Sequence, residues 1–371
     1  MSNCFENVKN KLGFGCMRLP LLENGEVDEV HFSAMVDRFI DAGFNYFDTA
    51  HGYIDGKSEK ALKKCLTSRY PRESYVLANK LSGFCFKTEA DIRPFFDSQL
   101  DLCGVEYFDF YLMHAQNATY YKKYKECRAY ETAFELKREG KIRHVGLSFH
   151  DKASVLDTIL TEYPDVEFVQ IQFNYLDYDD PSIEARLCYE VCRKHGKPII
   201  VMEPVKGGSL VNLPDTAKTI LDRFDGSYAS FALRYCADFE GIEMILSGMS
   251  NNEQMEDNLR TMSEPAPLSD EEKAALDKVC AIFHGLDIIP CTACEYCVAG
   301  CPAKINIPAL FSCYNSKKIY SEYNAPWYYL MMTQNAGKPA DCIECGKCES
   351  VCPQGIKIRE QLKLVAAEYQ K

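Results

Sequence analysis

The sequence predicts an α/β protein in which a closed (β/α)8 TIM barrel is followed by a small α+β module rich in cysteine. Between residues 12 and 249, eight short apolar runs alternate with amphipathic helical patterns, which is typical of parallel strands joined by helices. Eight strands within roughly 240 residues favour a closed barrel over an open sheet. The pattern changes at about Gly285, beyond which a cysteine motif occurs twice.

The apolar runs are the predicted strands. Several are continuously apolar, as expected for strands buried on both faces of a parallel sheet. They cover residues 12–16, 44–48, 75–80, 108–114, 144–149, 168–173, 198–202 and 244–248. The helical patterns between them include residues 30–42, 58–66, 91–102, 129–139, 183–195 and 228–237.

The domain boundary is predicted at Gly285. A proline-containing break at residues 264–269 leads into Ser269 and three acidic residues, which is typical of a helix start. Beyond that helix the chain is rich in Cys, Pro and Tyr and has little strand periodicity. We therefore expect a barrel domain over residues 1–284 and a cysteine-rich module over residues 285–371.

The module contains one cysteine run twice, in the form C-x2-C-x2-C-x3-C-P. This is the spacing of bacterial ferredoxins, where the fourth cysteine of each run ligates the other cluster. We therefore expect two [4Fe-4S] clusters in a ferredoxin-like module. One would be bound by Cys291, Cys294, Cys297 and Cys352, and the other by Cys342, Cys345, Cys348 and Cys301. The alternative is a pair of zinc knuckles, but structural zinc favours C-x2-C pairs at longer spacing.

Composition narrows the class of protein. A net charge of −12 and a pI of about 5.2 argue against binding to nucleic acid or to an anionic membrane. No apolar run approaches the ~20 residues of a membrane helix, and the first eleven residues lack the apolar segment of a secretory signal. Nineteen cysteines in such a chain indicate cluster binding in a reducing compartment. We expect a cytoplasmic enzyme.

Four polar residues lie at the ends of three consecutive predicted strands. Asp48, Lys80 and His114 end the second, third and fourth strands, and Tyr53 follows shortly after the second. Each residue alone is weak evidence, because a histidine after an apolar run is usually a core residue and a lysine at a strand end is usually solvated. Together they lie on the face where barrels of this class carry their active sites.

These residues resemble the aldo-keto reductase superfamily, whose members have a D-T-A-x-x-Y segment after strand two, a lysine ending strand three and a histidine ending strand four. Further similarity lies at residues 144–148, 169–173, 202–210 and 247–258. The resemblance spans roughly residues 12–260. With the cysteine-rich module it resembles an iron–sulfur subgroup of that superfamily, and it implies reduction of a small-molecule carbonyl, or oxidation of an alcohol, with NADH or NADPH.

The resemblance implies a role for each of the four residues. Carbonyl reduction needs a hydride from the nicotinamide and a proton for the oxygen. Tyr53 is the expected general acid, and it works in reverse for alcohol oxidation. A nearby ammonium lowers a tyrosine's pKa from its usual value near 10, so Lys80 is expected to act on Tyr53 and Asp48 to hold Lys80. His114 would orient the carbonyl oxygen.

The resemblance also implies the cofactor contacts. Ser148 and Gln170 would hold the carboxamide, and Met202 takes the place of a tyrosine that stacks on the nicotinamide in many members. Ser209 and Leu210 would offer backbone N–H groups to the pyrophosphate, with Lys206 adding charge. The adenosine end would lie on Gly248, Ser250, Gln254, Asp257 and Asn258, at a helix N-terminus.

Besides Met202, two further departures from the family pattern concern the cofactor. Phe149 follows the serine of strand five where many members have asparagine. Ser250, Asn251 and Gln254 occupy the stretch where arginine or lysine usually grips the 2′-phosphate of NADPH. A phosphate without a cationic partner is poorly compensated, so we expect NADH to be accepted at least as well as NADPH.

The sequence leaves open how the two parts work together, because nicotinamide gives two electrons at once and a cluster takes one. Three interpretations remain. The clusters are structural, they exchange electrons with an external ferredoxin or flavoprotein, or a flavin in the barrel converts a hydride into single electrons. The competing class of protein is a non-catalytic electron carrier whose barrel is a docking scaffold. The four polar residues at the strand ends argue against it.

Overall fold

The computed structural model describes residues 4–181, 183–320 and 325–369. Eight parallel strands form a closed barrel in which chain neighbours pair and the last strand pairs with the first. The strands are β1 (Leu12–Gly15), β2 (Tyr46–Asp48), β3 (Val76–Leu81), β4 (Phe108–Gln116), β5 (Ile142–Phe149), β6 (Phe168–Gln172), β7 (Ile199–Met202) and β8 (Ile242–Ser247). All eight lie where the sequence predicts them, so the predicted barrel is confirmed.

Helices connect the strands and continue through the rest of the chain. They are α1 (Glu29–Asp41), α2 (Lys57–Leu62), α3 (Ile92–Cys103), α4 (Ala118–Glu126), α5 (Ala129–Arg138), α6 (Ala153–Glu162), α7 (Ala185–Lys194), α8 (Asp215–Leu221), α9 (Tyr228–Ala237), α10 (Asn252–Ser263), α11 (Asp270–His284), α12 (Ile307–Tyr320), α13 (Ala325–Thr333), α14 (Lys347–Ser350) and α15 (Ile358–Tyr369). Among the described residues, no helix is both long enough and apolar enough to span a membrane.

Aromatic side chains from the first halves of the strands fill part of the barrel interior. The ring centres of Phe110 and Phe168 lie 5.0 Å apart, and Phe5 packs on both at 5.1 and 6.3 Å. Gly146 on β5 makes room for this layer, because a Cβ there would lie 2.4 Å from the Phe168 ring. The four polar residues named above lie towards the opposite ends of the strands, or just after them.

The chain divides into two compact units that do not follow the sequence in simple order. The first comprises Met1–Asp180, Glu184–Pro204 and Ala229–Leu268, and it holds all eight strands. The second comprises Pro181–Ile183, Val205–Tyr228 and Ser269–Lys371. The boundary predicted at Gly285 lies inside the second unit and stays a prediction about the domains of the chain.

The second unit has its own apolar core. Residues of α12 and α15, such as Phe311 and Leu362, are buried in it together with Cys297 and Cys348 of the two cysteine runs. Tyr329 of α13 stacks on Tyr369 of α15 with ring centres 4.7 Å apart. An isolated parallel bridge joins Ile305 to Gly337. Two cysteines of the repeated runs are therefore part of the packing of this unit.

Candidate active site

The structure brings the four polar residues at the strand ends together. Lys80 Nζ donates to Asp48 Oδ1 at 2.6 Å and to the carbonyl oxygen of Thr49 at 2.8 Å. The same nitrogen lies 5.0 Å from the centre of the Tyr53 ring. That ring faces the His114 ring edge-on, with centres 6.2 Å apart. The side chains named for this site by the sequence thus form one cluster, which we call the tetrad.

Tyr53 is positioned by a strained loop after β2. Its backbone N–H donates to the carbonyl of Ala50 at 3.0 Å, and a short 3-10 turn begins at Tyr53. The next two residues, Ile54 and Asp55, have φ values of 51° and 53°. Positive φ is rare for a β-branched residue such as Ile54. Such strain persists only where the surrounding structure holds it, and it is concentrated at functional sites.

The Asp48–Lys80 pair is buried, and burial dominates its electrostatics. Loss of solvent raises the pKa of Asp48, and the charge of Lys80 opposes that rise. Loss of solvent also lowers the pKa of Lys80, and the charge of Asp48 opposes that fall. Asp48 Oδ2 is buried with no hydrogen-bond partner among the described residues. The pair therefore depends on its own short contact to remain ionised.

His114 is held as a neutral imidazole. Its Nδ1 lies 2.7 Å from the hydroxyl oxygen of Ser82. Burial lowers the pKa of His114 well below its ordinary value of 6.5, and the charge of Lys80 lowers it further. A serine hydroxyl that donates to Nδ1 leaves the proton on Nε2. In that tautomer, His114 offers one N–H donor without carrying charge.

A buried polar network that the sequence did not predict lies behind the tetrad. Glu59 of α2 accepts from Asn79 at 2.8 Å and from Gln99 at 3.0 Å, and its other oxygen lies 2.8 Å from Nδ1 of His51. Gln99 also donates to the backbone carbonyl of Lys80 at 3.2 Å. The network thus links the loop that carries Tyr53 to the strand that carries Lys80.

Three predicted cofactor residues lie on β5, β6 and β7. Ser148 and Gln170 are register partners on neighbouring strands, and the hydroxyl of Ser148 accepts from the N–H of Ala115 at 2.8 Å. Gln170 Nε2 donates to the sulfur of Met202 at 3.4 Å. Gln170 Oε1 is buried and has no hydrogen-bond partner among the described residues. An amide donor of a ligand would satisfy this oxygen.

The predicted adenosine segment lies at the start of α10. Asn251 caps that helix by accepting from the N–H of Gln254 at 2.9 Å, while Gln254 Oε1 accepts from the N–H of Ser250 at 2.8 Å. Asn258 donates to Ser247 at 2.9 Å, and Asp257 pairs with Arg260 at 2.5 Å. The structure therefore joins residues 247–260 into one hydrogen-bonded segment.

A cationic residue, Arg18, reaches this segment from the loop after β1. The hydroxyl of Ser250 donates to the backbone carbonyl of Arg18 at 2.9 Å, and the Arg18 side chain passes beside Gly248. The expected tolerance of NADH rested on the charges of residues 250–254 alone. Arg18 was missed, because the contact joins residues more than two hundred positions apart in the chain.

The remaining cofactor residues, Ser209 and Leu210, fall in the second compact unit. They follow a 3-10 turn at Lys206–Gly208. The N–H of Ser209 donates to the carbonyl of Lys206 at 3.1 Å, and that of Leu210 donates to the carbonyl of Val205 at 3.2 Å. In this structure both N–H groups thus donate within their own loop. Their predicted role as donors to a pyrophosphate stays a prediction.

The two cysteine runs share a pattern of positive φ values around their second cysteine. Ala293 and Glu295 flank Cys294 with φ values of 52° and 66°, and Glu344 and Gly346 flank Cys345 with φ values of 55° and 74°. In both runs, positive φ values immediately before and after the second cysteine bend the backbone around that cysteine. This part of each loop is therefore formed alike, as expected for two copies of one binding loop, whereas only the second run continues into a short helix, α14.

Cysteines of the first run and the last cysteine of the second run line one cavity. Its walls include Cys291, Cys294, Cys297 and Cys352. Cys291, Cys294 and Cys352 are close enough to Cys297 to act on it electrostatically. In the second run, Cys342 acts similarly on Cys348. No three His, Cys, Asp or Glu residues among those described converge on a single-ion site. A cuboidal cluster is larger than one ion and holds its thiolates farther apart.

Comparison with known proteins decides the family. Residues 11–281 match the aldo/keto reductase family. The chain belongs to that family. Residues 290–356 match a 4Fe-4S dicluster domain, which covers both cysteine runs. The predicted family, the oxidoreductase class and the presence of an iron–sulfur domain are therefore confirmed.

Individual aldo/keto reductases and relatives agree with this assignment. An uncharacterized oxidoreductase of Schizosaccharomyces pombe is 26% identical over 286 residues, which cover 73% of this chain and 87% of the relative. The holo form of an aldo-keto reductase from Bacillus halodurans has a TM-score of 0.61 at 25% identity, covering 73% of this chain and 92% of its own. An aldo-keto reductase of Klebsiella pneumoniae in complex with NADPH has a TM-score of 0.59 at 20% identity, covering 72% and 90%, and shows the shared fold.

Proposed function

We propose that this aldo/keto reductase interconverts a carbonyl and an alcohol on a small molecule with NADH or NADPH, uses Tyr53 as general acid and base, and carries two [4Fe-4S] clusters. The observation that supports the reaction most directly is the buried Lys80, whose Nζ lies 5.0 Å from the centre of the Tyr53 ring. A buried cation beside a tyrosine is costly to desolvate, and it favours the ionised phenol that proton transfer requires.

Tyr53 would give its proton to the carbonyl oxygen and take one back during alcohol oxidation. Lys80 supports this exchange because its ammonium favours the phenolate that remains. Asp48 would act only through Lys80, which it holds at 2.6 Å. Because the pair is buried, its charges act through protein rather than through water, where they would be strongly screened.

His114 would orient the substrate. Burial and the charge of Lys80 keep its pKa well below 6.5, so the ring is neutral near pH 7. A neutral Nε2–H can donate to the carbonyl oxygen without supplying the proton that Tyr53 delivers. The edge-on contact between the two rings, with centres 6.2 Å apart, is compatible with both residues reaching the same oxygen.

The chain offers groups that fit a nicotinamide. When bound, that ring supplies or accepts the hydride. Ser148 and Gln170 would hold its carboxamide. The buried Oε1 of Gln170, which has no hydrogen-bond partner among the residues that the structure describes, would accept from the amide nitrogen. The sulfur of Met202, which already accepts from Gln170 at 3.4 Å, would lie near the ring in place of an aromatic side chain.

Replacing Tyr53 by phenylalanine tests the reaction. We expect Tyr53→Phe to lower kcat/KM for carbonyl reduction by about 100- to 10,000-fold, the usual contribution of a general acid. Steady-state assays with a panel of aldehydes and ketones would measure this in anaerobically purified protein. Tyr46→Phe is the matched control, since the buried Tyr46 hydroxyl has no hydrogen-bond partner among the described residues. Full carbonyl activity in Tyr53→Phe would contradict the mechanism.

Cofactor preference is a second prediction. We expect NADH to bind at least as tightly as NADPH, because Ser250, Asn251 and Gln254 carry no charge for a 2′-phosphate. Arg18 is the residue to test against this prediction, since it contacts Ser250. Fluorescence titrations would measure the Kd for each nucleotide. The ratio of the Kd for NADH to the Kd for NADPH should be the same in wild type and Arg18→Met. Strict dependence on NADPH that Arg18→Met relieves would show that Arg18 grips the phosphate.

The proposal of two clusters is supported by the positive φ values that both cysteine loops share, and by the cavity lined with Cys291, Cys294, Cys297 and Cys352. We propose that Cys342, Cys345, Cys348 and Cys301 bind the second cluster. Iron and sulfide analysis of anaerobically purified protein would test the number, and eight irons per chain are expected for two [4Fe-4S] clusters. The variants Cys294→Ser and Cys345→Ser should each lose one cluster.

A second candidate function is electron exchange with an external ferredoxin or flavoprotein. It is favoured by the exposure of Cys345 and of the neighbouring Ile343, which would place the second cluster near the surface. The absorption spectrum of the purified protein would distinguish the possibilities. A bound flavin adds fluorescence, whereas clusters give broad absorption without it, and an electron-carrying role requires the clusters to be reduced and reoxidised by such a partner.

A further inference from the structure

The loop after β7 packs with the cysteine runs. Strand β7 belongs to the first compact unit, but Val205–Tyr228 belongs to the second, together with Ser269–Lys371. The second unit contains both cysteine runs and also the Lys206–Leu210 loop, which contains the residues proposed for the cofactor's pyrophosphate. This grouping places a candidate cofactor loop and the candidate cluster loops in one packed body.

The contact between them is a close approach of two backbones at Gly207 and Thr292. A Cβ on Gly207 would lie 2.5 Å from the carbonyl oxygen of Thr292 and 2.8 Å from its Cα. Real Cβ atoms do not approach backbone so closely, so a side chain at Gly207 would force the two loops apart. Thr292 lies directly after Cys291 and two residues before Cys294. The cofactor loop therefore rests on the backbone of the first cysteine run.

The Lys206–Leu210 loop is tightly formed, so a shift at Gly207 would pass to its end. Gly207 and Lys206 have φ values of 63° and 47°. Ser209 and Leu210 donate back to Lys206 and Val205, and both Lys206 and Leu210 are buried. Ser209 and Leu210 follow Gly207 closely in the chain, so their N–H groups lie only a few residues from the contact with Thr292. The position of Thr292 therefore helps set the position of Ser209 and Leu210.

The strained conformation of the first cysteine run requires a stabilising interaction. Ala293 and Glu295, which follow Thr292, both have positive φ, a conformation that costs free energy in residues other than glycine. Cluster binding would supply this stabilisation, since thiolates bound to one inorganic core fix the loop between them.

We propose that the first cysteine loop positions the cofactor loop, so that loading of the cluster on Cys291, Cys294, Cys297 and Cys352 sets the affinity for the nicotinamide dinucleotide. The inference rests on the proposed function, because it assigns Ser209 and Leu210 to the dinucleotide. Gly207 and Thr292 are positioning residues in this scheme. The close approach at Gly207 involves the backbone of the first cysteine run, which carries three of the four proposed ligands of this cluster.

Gly207→Ala tests the contact directly. Its control is Gly196→Ala, which places alanine at nearly the same φ, 64° against 63°, with no atom within 4 Å of the new Cβ. In fully loaded protein, we expect Gly207→Ala to raise the Kd for NADH and NADPH about tenfold or more, within the usual range of coupling between sites. Gly196→Ala should leave both Kd values unchanged. The cluster absorption of Gly207→Ala should match wild type, which excludes loss of the cluster as the cause.

Cluster removal tests the coupling. Cys294→Ser targets the first cluster and Cys345→Ser the second, with iron content confirming each loss. We expect Cys294→Ser to raise the Kd for the nucleotides about tenfold or more and to speed amide hydrogen exchange in residues 205–212. Cys345→Ser should have a much smaller effect on both measurements.

The outcomes separate the inference from the proposed function. A wild-type protein that binds neither NADH nor NADPH would overturn both. A wild type that binds them, with unchanged Kd in Gly207→Ala, would overturn the inference alone. Equal effects of Cys294→Ser and Cys345→Ser would also overturn it, because the coupling would then not run through the first cysteine loop. If Cys294→Ser does not fold, Gly207→Ala still decides.

Discussion

The residues around Lys80 show how one buried cation organises the site. Lys80 holds Asp48 at 2.6 Å and faces the ring of Tyr53 at 5.0 Å. Burial lowers the pKa of His114, and the charge of Lys80 lowers it further. Removing Lys80 would leave the Asp48 carboxylate buried without its ion-pair partner, and Asp48 Oδ2 already has no hydrogen-bond partner among the described residues. The arrangement therefore joins stability and chemistry in the same few side chains.

The ion pair of His51 with Glu59 gives a pH-dependent contribution to stability. The hydrogen bond to Glu59 raises the pKa of His51 above 6.5 in the folded protein. A raised pKa means that the pair stabilises the fold below about pH 6.5, and that this stability is lost as pH rises through the folded-state pKa. Between about pH 6 and pH 9, the free energy of unfolding should fall more in wild type than in His51→Gln.

Urea unfolding at several pH values would measure this difference. His31→Gln is the control, because His31 hydrogen-bonds with the side-chain amide of Asn252 rather than with a carboxylate. Identical pH dependence in wild type and His51→Gln would contradict the prediction. A loss of slope in His31→Gln would show that the effect is not specific to the Glu59 pair.

The tetrad could be predicted from sequence, but its supporting residues could not. Asp48, Lys80 and His114 stand at strand ends that the apolar runs already marked, and Tyr53 lies a few residues beyond. Glu59 and Gln99 are on helices α2 and α3, where nothing in the local pattern distinguishes a buried carboxylate from a solvated one. Their role follows from contacts between elements, such as the 3.0 Å hydrogen bond that joins them.

At the scale of elements, neighbouring barrel strands can pair only if a small residue lies opposite a large side chain. Gly146 of β5 faces Phe168, its register partner on β6. A methyl group at Gly146 would lie 2.4 Å from the Phe168 ring. Phe168 is fully buried against Phe110 and Phe5, so the ring cannot move away freely. The strand pairing therefore requires glycine at this position.

Gly146→Ala should destabilise the barrel by about 1–3 kcal/mol, the usual cost of forcing extra volume into a packed core. Urea unfolding would measure the change in free energy. Gly15→Ala in β1 is a suitable control, because its new Cβ would meet atoms at an ordinary 3.4 Å. If the two variants have equal stability, Phe168 relaxes more easily than its packing indicates.

All eight strands lay within a few residues of their predicted bounds, because buried parallel strands produce continuous apolar runs. The assignment of residues 205–228 to a compact unit could not be predicted in the same way. These residues include α8, and α8 packs on α11, which begins at Asp270. Sequence patterns describe neighbouring residues, and this contact joins segments separated by α9, β8 and α10.

At the scale of the whole molecule, the clusters should stabilise one unit more than the other. The apolar core of the second unit includes Cys297 and Cys348, whereas all eight strands lie in the first unit. Small modules often depend on bound metal for their folding. Removing iron with a chelator should therefore expose residues 285–371 to protease while residues 4–180 resist.

Limited proteolysis followed by mass spectrometry, with and without chelator, would map the cleavage sites. Far-ultraviolet circular dichroism on the same samples would show whether the barrel remains folded. The same cleavage pattern before and after iron removal would contradict the prediction. Early cleavage within the strands would show that the barrel itself depends on the clusters.

The interleaving of the two units limits how this protein can be dissected. A chain cut after residue 284 would keep every strand of the barrel, but it would separate residues 205–228 from residues 285–371 of the unit to which they belong. Grafting the cysteine-rich segment onto another barrel would likewise omit the backbone that Thr292 rests against at Gly207. A transplant that preserves this packing must carry residues 205–228 together with residues 269–371.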